Sequence, residues 1–273
     1  MTLTHPAARI EPRPAAVPSR PSRRLVGGLA GIASRYWTVA ALIVAWWAWA
    51  ELNGYNKIVV PTPGAVVAEV VGHTGAYLPD LAATLVTSLA GLVAGMALGA
   101  LLAVVVWSSR VLAGMATPVA MIMRSVPVVA LIPIISTIFG YGWTTVWVIT
   151  TVVTFFPAFV FVGARLREPP PGTSDVFAVL GASRRTVLVR LLAPHAIPGV
   201  LVALRLSASS AVLAAMLAEY LMGVRGLGTV FAQAISFYQV ERAWGAALVA
   251  TVVSVACFVA ARATERWGLA RFT

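Results

Sequence analysis

Long apolar runs constrain this chain more than any other feature of its sequence. The run from Leu81 to Trp107 contains no charged residue, and about 20 apolar residues suffice for a helix to cross a bilayer. In the whole chain 60% of residues are hydrophobic and 11% are charged, against about 25% charged in a soluble domain. Because so few charges cannot cover a water-exposed surface, soluble globular, disordered, collagen-like and coiled-coil classes are excluded. A polytopic membrane protein remains.

The apolar runs predict an all-α membrane protein with about six transmembrane helices. Residues 1–24 hold five prolines and five arginines, so we expect a disordered basic tail over 1–35, followed by an uncleaved first helix. The transmembrane domain is expected over 36–265, with a loop at 165–196 and a short C-terminal segment at 266–273. The predicted spans are 37–52, 81–107, 115–138, 143–164, 197–222 and 243–261.

The positive charge of the chain predicts its orientation in the membrane. The sequence holds 20 Lys and Arg against 9 Asp and Glu, a net charge of +11. On the six-span topology, fifteen of the 20 cations fall in segments 1–36, 108–114, 165–196 and 262–273, and only Lys57, Arg225 and Arg242 fall on the other side. Cytoplasmic loops carry the excess of Lys and Arg. We therefore expect a multi-pass protein of the cytoplasmic membrane with both termini cytoplasmic, arginines that face membrane lipid, and no nucleic-acid partner.

The sequence offers no catalytic or metal-binding pattern. Cys257 stands alone in an apolar run, and we predict a helix-entry role for His195. No G-x-x-x-x-G-K-[ST] phosphate loop occurs, and the glycines from Gly223 to Gly228 are interpreted as a turn-forming loop. We expect no enzyme activity and no cofactor in this chain.

The loop at 165–196 is built differently from a simple connection between helices. Prolines at 169–171 prevent the preceding helix from continuing, and Asp175–Leu180 is predicted to form a short helix. Gly181 supplies a turn in which a positive φ is favourable, and Ser183 is placed to cap a second helix. Two interpretations stay open: a docking element for a partner, or an amphipathic surface helix on anionic lipid.

The spacing of this loop resembles the signature of permease subunits of binding-protein-dependent ABC importers. That signature is an E-A-A motif, three residues, a glycine, nine residues and I-x-L-P. Asp175 stands at the acidic position, Gly181 at the glycine and Pro194 at the proline, whereas Val176 and Phe177 replace the two alanines. The resemblance implies that the following residues couple to an ATPase: Asp175, Val176, Phe177, Ala178, Gly181, Ala182, Ser183, Leu191 and Pro194.

The resemblance extends over about residues 58–265 and favours the nitrate, sulfonate and taurine branch. It is carried in order by Pro61–Pro63, Arg124–Pro133 with Phe139-Gly140, Pro194–Pro198, Leu204-Arg205, Ala218-Glu219 and Gly226–Gly228.

The resemblance implies a type I importer fold with a cytoplasmic coupling helix between spans 4 and 5. It further implies a second permease copy, expected as a homodimer, two copies of an ATPase subunit that binds ATP and Mg, and an extracytoplasmic substrate-binding protein. The expected substrate is a small anion such as a sulfonate, taurine or nitrate. An ion-gradient-driven secondary transporter is the alternative, and an integral-membrane enzyme is a third candidate.

Polar groups and helix breaks inside spans are candidates for the translocation path, because intramembrane ionisable residues are costly. Buried ion pairs or helix-end hydrogen bonds would account for the same residues. The three glycines at 91, 95 and 99 are interpreted as helix packing sites rather than a dimer contact. The path candidates are Arg124, Ser125, Pro127, Pro133, Ser136, Arg205 and Glu219.

Overall fold

The computed structural model describes residues 26–53, 60–109, 111–115, 118 and 127–272, and within these ranges it contains helices and connections but no strand. The chain divides into two compact units at Ala48, and all helices after the first belong to the second unit, Trp49–Thr273. The helices are α1 (Val26–Leu52), α2 (Pro63–Gly72), α3 (Thr74–Ser108), α4 (Val128–Phe139), α5 (Trp143–Arg167), α6 (Thr173–Val179), α7 (Arg184–Val187), α8 (Ala193–Met222), α9 (Leu227–Ser236) and α10 (Val240–Phe272).

Four helical segments are long and apolar enough to cross a membrane: Thr74–Ser108, Trp143–Arg167, Arg184–Met222 and Val240–Arg271. They contain the second, fourth, fifth and sixth predicted spans and extend beyond them. Thr74–Ser108 and Arg184–Met222 begin before the predicted spans, and Trp143–Arg167 and Val240–Arg271 end after them, because the added turns carry polar residues that run length does not count. α10, for example, continues through Glu265 to Phe272, so the expected 266–273 tail is largely helical.

The first and third predicted spans differ more from the structure. α1 begins at Val26, so part of the expected 1–35 tail is helical, while 1–25 lies outside the described residues. In the third predicted span, 115–138, which we expect to be interrupted by Arg124, Pro127 and Pro133, α4 begins at Val128, directly after Pro127, and residues 111–115 before it are helical. Pro127 is the N-cap residue of α4, which agrees with the absence of a backbone N–H in proline, since an N-cap N–H has no partner within the helix.

Glycines bring α3 and α5 into direct contact. A Cβ atom added to Gly91 would lie 2.5 Å from the Thr150 side chain, and one added to Gly99 would lie 2.5 Å from the Phe155 carbonyl oxygen. The Thr154 hydroxyl donates to the Gly91 carbonyl oxygen at 2.9 Å. The glycine stripe therefore packs inside the chain, as predicted, because small residues let two membrane helices approach closely.

Candidate functional site

Residues 168–183 form an exposed segment, one short helix with a glycine turn at each end, and we call the end of the bundle where it lies the 168–183 end. Gly172, at φ +76°, precedes α6, and Gly181, at φ +65°, follows it. α6 begins at Thr173, two residues before the predicted start, and the Thr173 hydroxyl donates to the Pro170 carbonyl oxygen at 2.6 Å. The predicted cap is present: Ser183 Oγ accepts from the Thr186 N–H at 3.2 Å. The conformation of this loop therefore depends on Gly172, Gly181 and Ser183.

α6 has no buried residue among its seven positions. Val176 is 57% exposed, Val179 is 88% exposed and Leu180 is 76% exposed, whereas Phe177 is half-buried. Asp175 lies in the first turn of α6, where a carboxylate is favoured by the helix dipole. The apolar side chains of this helix are therefore exposed rather than packed against the bundle, and an exposed apolar patch is typical of an interaction site.

The segment that follows Gly181 is anchored to the bundle. Leu192 is buried in a cluster with Val106, Val162 and Leu166, and Leu191 packs against that cluster. The Arg184 guanidinium donates to the Ser108 carbonyl oxygen at 3.4 Å, at the last residue of α3. His195 bonds the Glu168 carbonyl oxygen through Nε2 at 3.0 Å.

A π-helical turn, Leu188–Leu192, joins α7 to α8 without a break. The result is one helical segment of 39 residues, Arg184–Met222, which is about 58 Å long at 1.5 Å per residue. Pro194 and Pro198 lie within it, although we placed both in the loop or at the entry to the span. A π-turn absorbs one extra residue and is a common site of local adjustment in helices. The part of the motif that follows Ser183 and the fifth span are therefore one continuous helical element.

The structure pairs Arg205 with a partner that sequence reasoning missed. Arg205 Nη1 lies 3.1 Å from Glu265 Oε2, and the Glu265 side chain is 8% exposed. The pair links α8 to α10. We missed Glu265 because the predicted sixth span ended at Ala261. The charge of Arg205 is balanced within the chain, so the ion-pair alternative accounts for it.

Glu219 lies at the opposite end of the bundle, which we call the 223–239 end. Its side chain is completely buried. Oε2 accepts hydrogen bonds from Thr84 Oγ1 at 2.8 Å and from the Gly228 N–H at 3.2 Å. Sequence reasoning placed Glu219 near this end of α8 but did not identify Thr84, which is one of two threonines in the uncharged run Leu81–Trp107.

Of the two prolines predicted to interrupt the third span, Pro127 precedes α4, whereas Pro133 lies inside it and does not end the helix. Ser136 is buried, and its hydroxyl bonds the Pro133 carbonyl oxygen of its own helix at 2.8 Å. Ile132 packs with Val146 and Ile149. Ser136 thus faces other helices of the same chain. The path candidates Arg124 and Ser125 lie outside the described residues.

Two further features concern the 223–239 end. The glycine-rich segment that we interpreted as a loop includes the start of α9 at Leu227, so the prediction missed a helix of ten residues. A cavity of about 460 Å³ lies at this end, within the size range of small-molecule pockets. Its polar lining residues are Glu69, His73, Tyr77, Tyr238, Gln239, Glu241 and Arg242.

Comparisons with known proteins agree with this architecture. The model of the family described as "binding-protein-dependent transport system inner membrane component" matches residues 95–267. A probable ABC transporter permease of Haemophilus influenzae is 26% identical over 220 residues, which cover 81% of this chain and 90% of that protein. The formylaminopyrimidine transport permease ThiX of Halalkalibacterium halodurans is 31% identical over 190 residues, covering 68% and 75%. The taurine transport system permease TauC of Escherichia coli is 25% identical over 236 residues, covering 84% and 86%.

Solved structures share the fold. The chain is similar to an inward-facing structure of the MetNI methionine ABC transporter with a TM-score of 0.58 and 21% identity, over 68% of this chain and 92% of that one. It is similar to an amino acid ABC transporter with a TM-score of 0.60 and 16% identity, over 72% and 96%. The chain therefore belongs to the family of binding-protein-dependent transport system inner membrane components, the permease subunits of ABC importers.

Proposed function

We propose that residues 173–192 dock a separate ATPase subunit, and that this contact drives solute import through the bundle. Family membership implies an ATPase and a binding protein as partners. The observation that carries the proposal is the exposed apolar surface of α6, formed by Val176, Val179 and Leu180. Exposed apolar patches on an anchored element are typical of interaction sites.

The way in which α6 is attached to the bundle supports a role in transmitting movement from the ATPase to the membrane helices. A docking helix must move the membrane helices rather than bend on its own, because coupling requires an element that has two discrete positions. Gly181 joins α6 to the segment that begins at Ser183, and that segment continues to Met222. Leu192 anchors it in the packed cluster. A displacement of α6 therefore acts on the whole length of α8.

The orientation and assembly follow from this proposal. The 168–183 end faces the cytoplasm, where ATP is available, and both termini lie on that side. Two copies of the chain form the translocation path, with one ATPase subunit bound to each. ATP and Mg bind those ATPase subunits, and this chain contributes transport without catalysis. The fifteen cations placed on the cytoplasmic side by the sequence support the same orientation.

The substrate proposed is a small anion such as a sulfonate, taurine or nitrate, delivered by the binding protein. The relative TauC, named for taurine transport, supports this candidate. A second candidate is a pyrimidine of the formylaminopyrimidine type, because ThiX is 31% identical. Arg205 is paired with Glu265, so anion selection rests on the binding protein and on groups other than Arg205.

The docking proposal is tested by co-purification and transport. We expect the tagged chain, co-expressed with its ATPase, to purify as a complex, and Val179→Asp with Leu180→Asp to abolish the complex, since burying a carboxylate at an apolar contact is unfavourable. Phe237→Asp is the matched control, because Phe237 is 73% exposed and lies at the opposite end of the bundle, outside residues 173–192. A double variant that still binds the ATPase would contradict docking through α6.

The energy source and the substrate are tested in proteoliposomes that contain the complex and its binding protein. We expect taurine or an alkanesulfonate to enter only when ATP is hydrolysed. Uptake that continues without ATP and stops when an ion gradient is removed would favour the secondary-transporter alternative. Uptake of the formylaminopyrimidine with none of taurine, alkanesulfonate or nitrate would select the second substrate.

A further inference from the structure

The N-terminus of α9 is buried inside the bundle. Leu227, its first residue, has no exposed surface, and Gly228 is also buried. The first N–H groups of a helix have no partner within the helix and must be satisfied elsewhere. Gly226, the N-cap residue, has no side chain and makes no side-chain cap. The caps must therefore come from other elements.

Two other helices supply these caps. Thr84 of α3 accepts the Leu227 N–H through Oγ1 at 2.9 Å. The same hydroxyl donates to Glu219 Oε2 of α8 at 2.8 Å, and that oxygen also accepts the Gly228 N–H at 3.2 Å. The carboxylate thus meets the positive end of the helix dipole of α9. We call this three-helix arrangement the trans cap, formed by Thr84, Glu219, Leu227 and Gly228.

The close packing of the start of α9 against α8 depends on Gly226 and Gly228. A Cβ atom on Gly226 would overlap the Glu219 carboxylate, and one on Gly228 would overlap the Met216 carbonyl oxygen. Thr229 adds a further bond, because its hydroxyl donates to the Glu219 carbonyl oxygen at 3.1 Å. The start of α9 is therefore seated directly on the last turns of α8.

The other end of the same helical segment carries the proposed docking site. The 39 residues of Arg184–Met222 run from the Ser183 cap to Gly223, where a left-handed residue ends α8. Glu219 lies one turn before that end. A movement applied at Ser183 is therefore delivered to the trans cap about 54 Å away along the helix.

We propose that Thr84 and Glu219 are positioning residues that make α9 move with α8, so that the 223–239 end opens and closes in step with the ATPase. This inference rests on the proposed function. The hydrogen bonds of the trans cap, rather than the charge of Glu219, perform this role. α9 is ten residues long, too short to cross the membrane alone, so it depends on its contacts with α3, α8 and α10.

The test measures ATP hydrolysis and uptake together, in proteoliposomes of the full complex with its binding protein. Thr84→Val and Glu219→Ala should each lower uptake per ATP hydrolysed about tenfold, a typical size for a coupling effect. Thr84→Ser and Glu219→Gln, which keep the hydroxyl and an acceptor oxygen, should stay within about threefold of the parent chain. Thr150→Val is the matched control, because Thr150 is equally buried and its hydroxyl bonds the Val146 carbonyl oxygen of its own helix.

The outcomes separate this inference from the proposed function. If the parent chain shows no ATP-driven uptake, the proposed function fails. If the parent chain is active and Thr84→Val and Glu219→Ala match Thr150→Val, only the trans cap is overturned. If Glu219→Gln is as uncoupled as Glu219→Ala, the charge and not the capping is required, which also overturns it.

A second measurement leaves the residues of the trans cap unchanged. It therefore tests the proposal even if the Thr84 and Glu219 variants do not fold. In a Cys257→Ala chain, a thiol introduced as Ser236→Cys on the exposed last turn of α9 is labelled with a membrane-impermeant reagent. Labelling should differ at least about threefold between the nucleotide-free and ATP-trapped complexes. Equal labelling in the two states would show that α9 does not follow the ATPase and would overturn the proposal.

Discussion

At the scale of single residues, absent side chains matter as much as present ones. Gly91, Gly95 and Gly99 leave no room for a methyl group against α5, and Thr154 uses the resulting contact to bond the Gly91 carbonyl oxygen. Gly163 differs, since its nearest neighbour would be the Ala103 Cβ atom at 3.8 Å. Glycines in membrane helices thus differ in whether they tolerate a larger side chain, and the distance to the neighbouring helix decides this.

Gly95→Ala is expected to destabilise the protein by about 1–3 kcal/mol, because the added methyl group overpacks the α3–α5 contact. The free energy of unfolding in detergent micelles, followed by tryptophan fluorescence, measures this change. Gly163→Ala should be neutral or slightly stabilising, since alanine favours a helix over glycine. Equal effects of the two substitutions would contradict the packing described for Gly95.

At the scale of elements, the turn between α6 and α7 determines how the exposed helix is held. The Gly181 N–H bonds the Ala178 carbonyl oxygen at 3.0 Å, and the Ala182 N–H bonds the Phe177 carbonyl oxygen at 3.0 Å. These bonds require the left-handed conformation of Gly181, at φ +65°. No other group lies within 4 Å of its added Cβ atom among the described residues, so only the backbone conformation restricts this position.

Gly181→Val should therefore reorient α6 and lower ATP-driven uptake about tenfold, because a β-branched residue in this conformation costs about 1–3 kcal/mol. Gly181→Asn is the control, since asparagine tolerates the left-handed region. The measurement is uptake together with retention of the ATPase on the purified complex. Unchanged uptake in Gly181→Val would argue against a docking role for α6.

At the scale of the whole molecule, the two ends of the bundle have different chemistry. The 168–183 end and the nearby end of α10 carry Arg165, Arg184 and Arg266, whereas the 223–239 end exposes Phe237 and Tyr238 and contains the polar cavity. The excess of arginine at the 168–183 end, against Arg225 and Arg242 at the other end, agrees with a fixed orientation in the bilayer.

Thiol labelling of intact cells measures that orientation. In a Cys257→Ala chain, Phe237→Cys should react with a membrane-impermeant maleimide added outside, because the 223–239 end faces outward. In cells that do not express the ATPase, Leu180→Cys should react only after the membrane is permeabilised. Both positions are more than two-thirds exposed, so burial does not explain a difference. The reverse pattern would invert the proposed topology.

The sequence by itself determined the membrane class, the family resemblance and the local conformation of residues 168–183. Run length, charge and the positions of Gly181 and Ser183 act over short distances, so they can be seen without a fold. Tertiary structure alone decided that Arg205 pairs with Glu265 and that Thr84 and Glu219 cap α9. These partners lie on separate helices, and α9 itself is short and glycine-led, so only packing satisfies its buried N-terminus. Long-range contacts of this kind leave no periodic signal in the chain.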